Sequence, residues 1–181
     1  MSSEWGAPGL SVIGVAIAIP DPWGSELQEW RQRFGDPLAE AIPTHVTLLP
    51  PSSVDPEVLP EIEEHLRAAA RRCTEFDIHL RGTATFRPVS PVVFVQLAAG
   101  IGGCERTETV VRSGPLAREL DFPYHPHVTV AHELPDPALD EAFTALAGYE
   151  ARFTVTGFSL YEHLEGVWRP RSTYDFPPQP S

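Results

Sequence analysis

Lysine is absent from this 181-residue sequence: all 13 positive charges are arginines, and they stand against 25 aspartates and glutamates. The resulting formal net charge of −12 argues against a protein that coats long nucleic acid, because such binding neutralises many phosphates with a basic face. We therefore expect no long nucleic acid as a partner. Any phosphate chemistry should be confined to a small local site.

Cysteine and long apolar runs are also scarce. Cys73 and Cys104 are too few for a disulfide framework, and we expect them to be free and reduced. The longest apolar run, residues 10–20, is interrupted by Ser11 and falls short of the roughly 20 residues that cross a membrane. We interpret it as a buried strand and expect a cytoplasmic protein with no membrane partner.

The apolar share of 42% is enough to form the hydrophobic core of one domain over residues 1–181. We expect this domain to be a monomer.

Proline and glycine are plentiful, at 20 and 13 residues, and they mark the boundaries of the predicted elements. The predicted strands are residues 11–19, 45–49 (ended by two prolines), 76–86, 91–98, 127–131, 153–163 and 167–176. Helices are expected to open at Asp21-Pro22, Asp55-Pro56 and Asp136-Pro137, and another to lie within residues 105–120. Residues 87–90 are predicted as a hairpin loop, 100–103 as a loose linker and 177–181 as a frayed tail.

The order of these elements repeats. Each half runs strand, helix, short strand, helix, strand, strand, and no shorter period is present, which indicates a single duplication. The pattern predicts an α+β fold of two sheet lobes that face each other across a groove.

The same tripeptide lies at the centre of each half: His45-Val46-Thr47 and His127-Val128-Thr129, 82 residues apart. About 0.04 such tripeptides are expected by chance at this composition, so two at matching places are significant. On a strand, residues i and i+2 point to one face, so each histidine projects with its threonine while the valine enters the core. Two such strands beside one groove would present two imidazoles and two hydroxyls around one centre.

This set of groups suits a phosphodiester. Histidine is near half-protonated at neutral pH, so one imidazole can act as base and the other as acid. Threonine hydroxyls can donate hydrogen bonds to the non-bridging phosphate oxygens. Neither a metal nor another cofactor is needed for this chemistry.

The paired motifs resemble those of the 2H phosphoesterase superfamily, the group of 2′-5′ RNA ligases and cyclic phosphodiesterases. Residues 43–48 and 125–130 match its two His-x-Thr elements, and the hairpin at residues 86–89 and the strand 168–176 resemble its small bacterial branch. The resemblance implies a bilobal, pseudo-twofold α+β fold, with two antiparallel sheets beside a central cleft and helices outside. It implies metal-independent action on 2′,3′-cyclic phosphates or 2′-5′ linkages of a nucleotide or RNA end. The order it implies is His127 as base and His45 as acid, while the near-symmetry of the two motifs leaves the opposite order open.

Two alternatives compete with this interpretation. His125, His127 and His132 could form a metal site, since His-x-His on a strand puts two imidazoles on one side, but such a site leaves His45 and Thr47 unexplained. The protein could also be a nucleotide- or RNA-end-binding module with little turnover. We interpret the remaining histidines, His65, His79 and His163, as structural.

Several further side chains are candidates for substrate contacts. Tyr124, Trp168 and His125 could contact a nucleotide, since aromatic faces stack on bases, whereas Phe86 is favoured as a core residue. Arg87, Arg169 and Arg171 are candidates for a positive rim, with solvated surface as the alternative. Despite the acidic composition, we expect the cleft itself to be neutral or positive.

Overall fold

The computed structural model describes residues 7–180, so the last residue of the predicted tail, Ser181, lies outside the described part. The eight strands of this part are β1 (Ser11–Ala18), β2 (His45–Val54), β3 (Phe76–Thr85), β4 (Val92–Ala99), β5 (His127–His132), β6 (Glu150–Val155), β7 (Gly157–Leu164) and β8 (Val167–Asp175). Its four α-helices are α1 (Trp23–Phe34), α2 (Leu59–Arg71), α3 (Ile101–Val111) and α4 (Asp136–Ala145). Short 3₁₀ turns cover Pro56–Val58 and Gly114–Leu116. None of the helices in this range is long and apolar enough to cross a membrane.

The strands form two four-stranded antiparallel sheets, as predicted. The first sheet has the order β2-β1-β7-β8, and the second has the order β5-β4-β3-β6. In each sheet the strand that carries a His-Val-Thr motif is an edge strand, and it pairs with a strand of the main hydrophobic core. The fold is therefore α+β with a pseudo-twofold duplication.

The helices cover one face of each sheet and leave the other face for the cleft. Helices α1 and α4 pack together on the second sheet, while α2 and α3 pack together on the first. Along β1, the alternate residues Ile13, Val15 and Ile17 enter the main core. Val12 and Ala16 point to the opposite face, where they form a small cluster with Tyr161 and Trp168.

The repeat is shorter than the sequence pattern indicated. The repeated unit is strand, helix, motif strand, helix: β1-α1-β2-α2 and then β4-α3-β5-α4. The predicted strand 153–163 is wrong, because the chain leaves the second sheet after β6 and enters the first at β7. Gly157 marks this switch, where a Cβ would lie 2.4 Å from the carbonyl oxygen of Tyr174.

Two other boundaries differ from prediction. Strand β2 continues through Pro50 and Pro51 to Val54, which an edge strand tolerates because an outward-facing residue needs no ladder N–H. The predicted linker 100–103 is mostly the first turn of α3, which begins at Ile101. Gly103 is required within that turn, since a Cβ there would meet the Phe76 ring at 2.2 Å. Residues 177–180 have no regular secondary structure and are exposed.

Candidate active site

The two motifs are presented in the same way. The first six residues of β2 and the six residues of β5 share one burial pattern, in which histidine and threonine are half-buried and the valine between them is fully buried. Val46 and Val128 both have 0% exposure. The predicted alternation is therefore confirmed in both halves.

Both imidazoles are oriented by a main-chain carbonyl two residues upstream. Nδ1 of His45 lies 2.6 Å from the Pro43 oxygen, and Nδ1 of His127 lies 2.7 Å from the His125 oxygen. Because a carbonyl can only accept, the ring proton is on Nδ1 in each neutral histidine. Nε2 is then the basic nitrogen, and in His45 it accepts from the Thr47 hydroxyl at 3.2 Å.

The two motif strands meet. Strands β2 and β5 contact each other although they belong to different sheets. The Tyr124 hydroxyl, three residues before His127, donates to the Thr47 carbonyl at 2.8 Å. A positive charge on His127 would also lower the pKa of His45.

Burial keeps both histidines neutral. Desolvation lowers the pKa of His45 from 6.5 to about 4, and the positive charges of Arg31 and His127 act in the same direction. Desolvation also lowers the pKa of His127, with a further contribution from His125. Both imidazoles can therefore accept a proton at neutral pH.

Arg31, which the sequence analysis did not single out, organises the segment that leads to His45. Its guanidinium is buried and pairs with the buried carboxylate of Asp36 at 3.3 Å. It also donates to the carbonyls of Ile42 at 2.7 Å and Leu38 at 3.0 Å, and to the Thr44 hydroxyl at 3.2 Å. These bonds fix the residues on both sides of Pro43, whose carbonyl orients His45. An arginine in the middle of an amphipathic helix ordinarily indicates a solvated face, so only the fold reveals this role.

Aromatic side chains pack against His127. Phe86 packs against Phe94 with ring centroids 4.4 Å apart, and its edge contacts His127 at 4.9 Å. The prediction of Phe86 as a core residue is wrong, because the ring is half-buried at the motif. His125 is exposed and contacts Phe86 and Phe94. Tyr124 is engaged by its hydrogen bond to β2 and packs against the core, so its ring is not a free stacking surface.

A cavity lies next to His45. Its volume is about 120 Å³, and it is lined by residues of β1, β2, β7 and β8, among them Gly14, Ala16, Thr47, Tyr161 and Trp168. Trp168 and Tyr161 are each 9% exposed. The structure thus brings Trp168 to the first motif, as a wall of this cavity.

Two of the proposed rim arginines are paired with carboxylates. Arg87 lies 2.9 Å from Asp140 and 3.5 Å from Asp136, whereas Arg171 lies 2.6 Å from Glu63 and 3.0 Å from Glu162. Arg169 is exposed on β8. These carboxylates are supplied by helices α2 and α4 and strand β7, so the local sequence around each arginine gave no sign of them.

The other histidines and the two cysteines have no metal-binding arrangement in the described residues. Within residues 7–180, no three His, Cys, Asp or Glu side chains cluster closely enough to hold a metal, so the trio His125, His127 and His132 is not a donor set. His65 bonds the Val111 carbonyl, and His79 bonds Glu150; both are structural, as predicted. Cys73 and Cys104 are free and buried.

Curated relatives resemble the chain over most of its length. It is 26% identical over 164 residues to "Putative phosphoesterase GK0864" of Geobacillus kaustophilus, which covers 89% of this chain and 94% of that protein. It is 28% identical over 148 residues to "Putative phosphoesterase GWCH70_0799" of a Geobacillus species, covering 80% and 84% respectively.

Solved structures share the fold. LigT of Escherichia coli superposes with a TM-score of 0.63 at 22% identity, over 92% of this chain and 98% of LigT. LigT has also been solved in complex with 3′-AMP and with NADP+. TT0787 of Thermus thermophilus superposes with a TM-score of 0.60 at 21% identity, over 91% of this chain and 97% of TT0787.

The family model of the 2′-5′ RNA ligase superfamily matches residues 19–167, a range that contains both His-Val-Thr motifs and the strands that hold them. The chain therefore belongs to the 2′-5′ RNA ligase superfamily.

Proposed function

We propose that this protein is a metal-independent phosphoesterase that acts on a 2′,3′-cyclic phosphate or a 2′-5′ phosphodiester of a nucleotide or RNA end. The observation that carries the proposal is the pair of half-buried imidazoles, each with Nδ1 on a carbonyl, on two edge strands that contact each other. The names of the relatives and the nucleotide complexes of LigT are consistent with it.

In the opening of a cyclic phosphate, one neutral histidine takes a proton from water through Nε2. The new P–O bond forms as the bond to a ribose oxygen breaks, and the second histidine, protonated, gives its proton to that leaving oxygen. When the substrate binds, the Thr47 hydroxyl turns from Nε2 of His45 to a non-bridging oxygen and leaves Nε2 free to act as base. Thr129 donates to another non-bridging oxygen, and negative charge builds up on both. The reverse reaction exchanges the roles of the two histidines.

We assign the base in hydrolysis to His45 and the acid to His127, the reverse of the order that the family resemblance implies. The buried Arg31 cation lies behind the first motif and disfavours a proton on His45. Burial is the main cause that lowers the pKa of His127, followed by His125, and no arginine contributes there. The anionic substrate would then raise the proton affinity of the acid on binding.

The experiment is to incubate the protein with 2′,3′-cyclic nucleotides in the presence of EDTA and to follow the opened product. We expect hydrolysis that survives the chelator and is lost in His45→Ala and His127→Ala. His79→Ala, a histidine bonded to Glu150 on the second sheet, is the matched control and should retain activity. Hydrolysis that EDTA abolishes would refute the metal-independent mechanism. Binding without product would favour the nucleotide-binding alternative.

A further inference from the structure

The two sides of the cleft differ in the space they leave beside the motifs. In the first sheet, Ala18 pairs with His45 and Ala16 with Thr47. Directly paired residues of an antiparallel sheet share a face, so these small side chains lie beside the motif. Gly14 continues the same row, and Trp168 packs on it so closely that a Cβ there would lie 3.4 Å from the indole ring. The cavity of about 120 Å³ results from this row of small residues.

The equivalent space in the second sheet is filled. Here Gln96 pairs with His127 and Phe94 with Thr129. The Phe94 ring is 3% exposed and its centroid lies 5.2 Å from that of His127. Phe86 packs on Phe94 from the hairpin side. Bulky side chains therefore occupy the position that alanines occupy in the first half.

The lining of the cavity selects a particular chemistry. Trp168 and Tyr161 offer aromatic surfaces, Ile42 and Leu49 offer aliphatic ones, and His45 is the one titratable lining group besides the tyrosine hydroxyl. No Asp, Glu or Arg lines it, so the groups it offers to a phosphate are those of the first motif, His45 and Thr47, and the rest of its wall is mainly apolar. Pockets that enclose a whole drug-sized ligand begin at roughly 300 Å³, so this cavity suits one flat ring system. Aromatic walls of this kind stack on nucleobases.

We propose that the cavity beside His45 holds the nucleobase of the substrate and that the described part of the cleft offers one base site rather than two. This proposal rests on the proposed function and narrows it. A 2′-5′ phosphodiester has a nucleoside on each side of the phosphate, whereas a 2′,3′-cyclic phosphate has one. The preferred substrate is then a nucleotide or RNA end that carries a cyclic phosphate.

The test compares substrates with and without a base. The wild-type protein should open nucleoside 2′,3′-cyclic phosphates with a kcat/KM at least tenfold above that for glycerol 1,2-cyclic phosphate. Ala16→Leu, which fills the cavity, and Trp168→Leu, which removes a wall, should each lower kcat/KM for the nucleoside substrate by roughly 10- to 100-fold, the usual worth of one stacked base. The glycerol substrate has no base and should lose less than the nucleoside substrate, so the ratio of the two kcat/KM values should fall about tenfold or more in both variants. Val89→Ala, an exposed apolar residue of the hairpin in the second half, is the matched control.

Three results would overturn the proposal. The first is equal wild-type kcat/KM for the two kinds of substrate. The second is an equal loss on both substrates in both cavity variants. The third is a kcat/KM for a 2′-5′-linked dinucleotide that exceeds the value for the cyclic mononucleotide by tenfold or more. If the protein opens neither a cyclic phosphate nor a 2′-5′ phosphodiester, the proposed function fails separately. The base site is then decided by calorimetry, in which 3′-AMP must bind the wild type more tightly than inorganic phosphate does and Ala16→Leu must lose that difference.

Discussion

The two halves of the site share their backbone and differ in their surroundings. Both motifs begin an edge strand, bury the central valine and hold the imidazole with a carbonyl two residues upstream. The first motif has alanines beside it and a buried arginine behind it, whereas the second has Phe94 and Phe86. The two halves thus present the motif side chains in the same way, while they differ in charge and in the space left beside the motif.

Replacing either histidine tests whether the halves are equal partners in the reaction. His45→Ala and His127→Ala should each reduce kcat on an opened cyclic phosphate by roughly 10²–10⁴-fold, the usual worth of general acid–base catalysis. Circular dichroism and thermal unfolding should show an intact fold, since both side chains face the cleft. Near-wild-type turnover in one of the two variants would mean that a single histidine suffices.

Replacing Arg31, the buried arginine behind the first motif, should destabilise the protein far more than replacing an exposed arginine. Arg31→Met leaves the Asp36 carboxylate buried without its partner, which should lower the free energy of unfolding by about 3–5 kcal/mol. Arg67→Met removes an exposed pair with Glu64 and should cost about 0–1 kcal/mol. Urea unfolding measures both values. In Arg31→Met the pKa of His45, followed by NMR, should rise, because a nearby positive charge is removed. An unchanged pKa would show that Arg31 has only a structural role.

Replacing the threonines compares the two motifs again, with a smaller expected loss of kcat than replacing the histidines. Thr47→Val and Thr129→Val should each lower kcat by roughly 10- to 10²-fold, because a hydrogen bond to a charged group contributes about 1.5–3 kcal/mol. Thr47→Val should have the larger effect, since the Thr47 hydroxyl also bonds Nε2 of His45. Thr109→Val is the control, as its exposed hydroxyl bonds the Glu105 carbonyl within α3. Steady-state kinetics with the cyclic substrate decides the order, and a larger loss in Thr129→Val would reverse it.

The two histidines should also differ in how they couple folding to pH. The pKa of His45 is about 4 in the folded protein, against an ordinary value of 6.5, so the unfolded chain binds the extra proton between these values. Its contribution to stability is therefore fully present above pH 6.5 and is lost as the pH falls toward 4. Urea unfolding across this range should show a shallower pH dependence in His45→Gln than in the wild type. The change should be smaller in His127→Gln, and an unaltered slope in His45→Gln would contradict the lowered pKa.

Removing the Tyr124–Thr47 hydrogen bond between the two halves should have the smallest effect on stability. Tyr124→Phe removes the hydrogen bond to the Thr47 carbonyl and should lower the free energy of unfolding by about 0.5–1.5 kcal/mol. The exposed Phe122→Ala two residues earlier is the control for a change in the same segment. Chemical unfolding at one pH compares the two, and equal stabilities would show that the contact contributes nothing.

The repeated motif predicted that both histidines and both threonines lie on matching strands with the valines buried, and the helices and most strands followed from proline, glycine and apolar spacing. The change of sheet at Gly157 did not, because apolar patterning within a strand says nothing about which strand is its partner. The role of Arg31 and the pairing of Arg87 with α4 depend on side chains distant in sequence. The cavity depends on the register that sets Ala16 opposite Thr47.

The exchange of strands between the halves has a consequence for how the chain folds during synthesis. Strand β1 pairs with β7, with Ile13 opposite Glu162, so the first sheet joins the beginning of the chain to its end. Until β7 and β8 leave the ribosome, β1 has a free apolar edge, the kind of edge that invites pairing with other chains. Pairings this distant in sequence also slow folding. The motif that is translated first is therefore the last to receive a complete sheet, and no N-terminal fragment can assemble it.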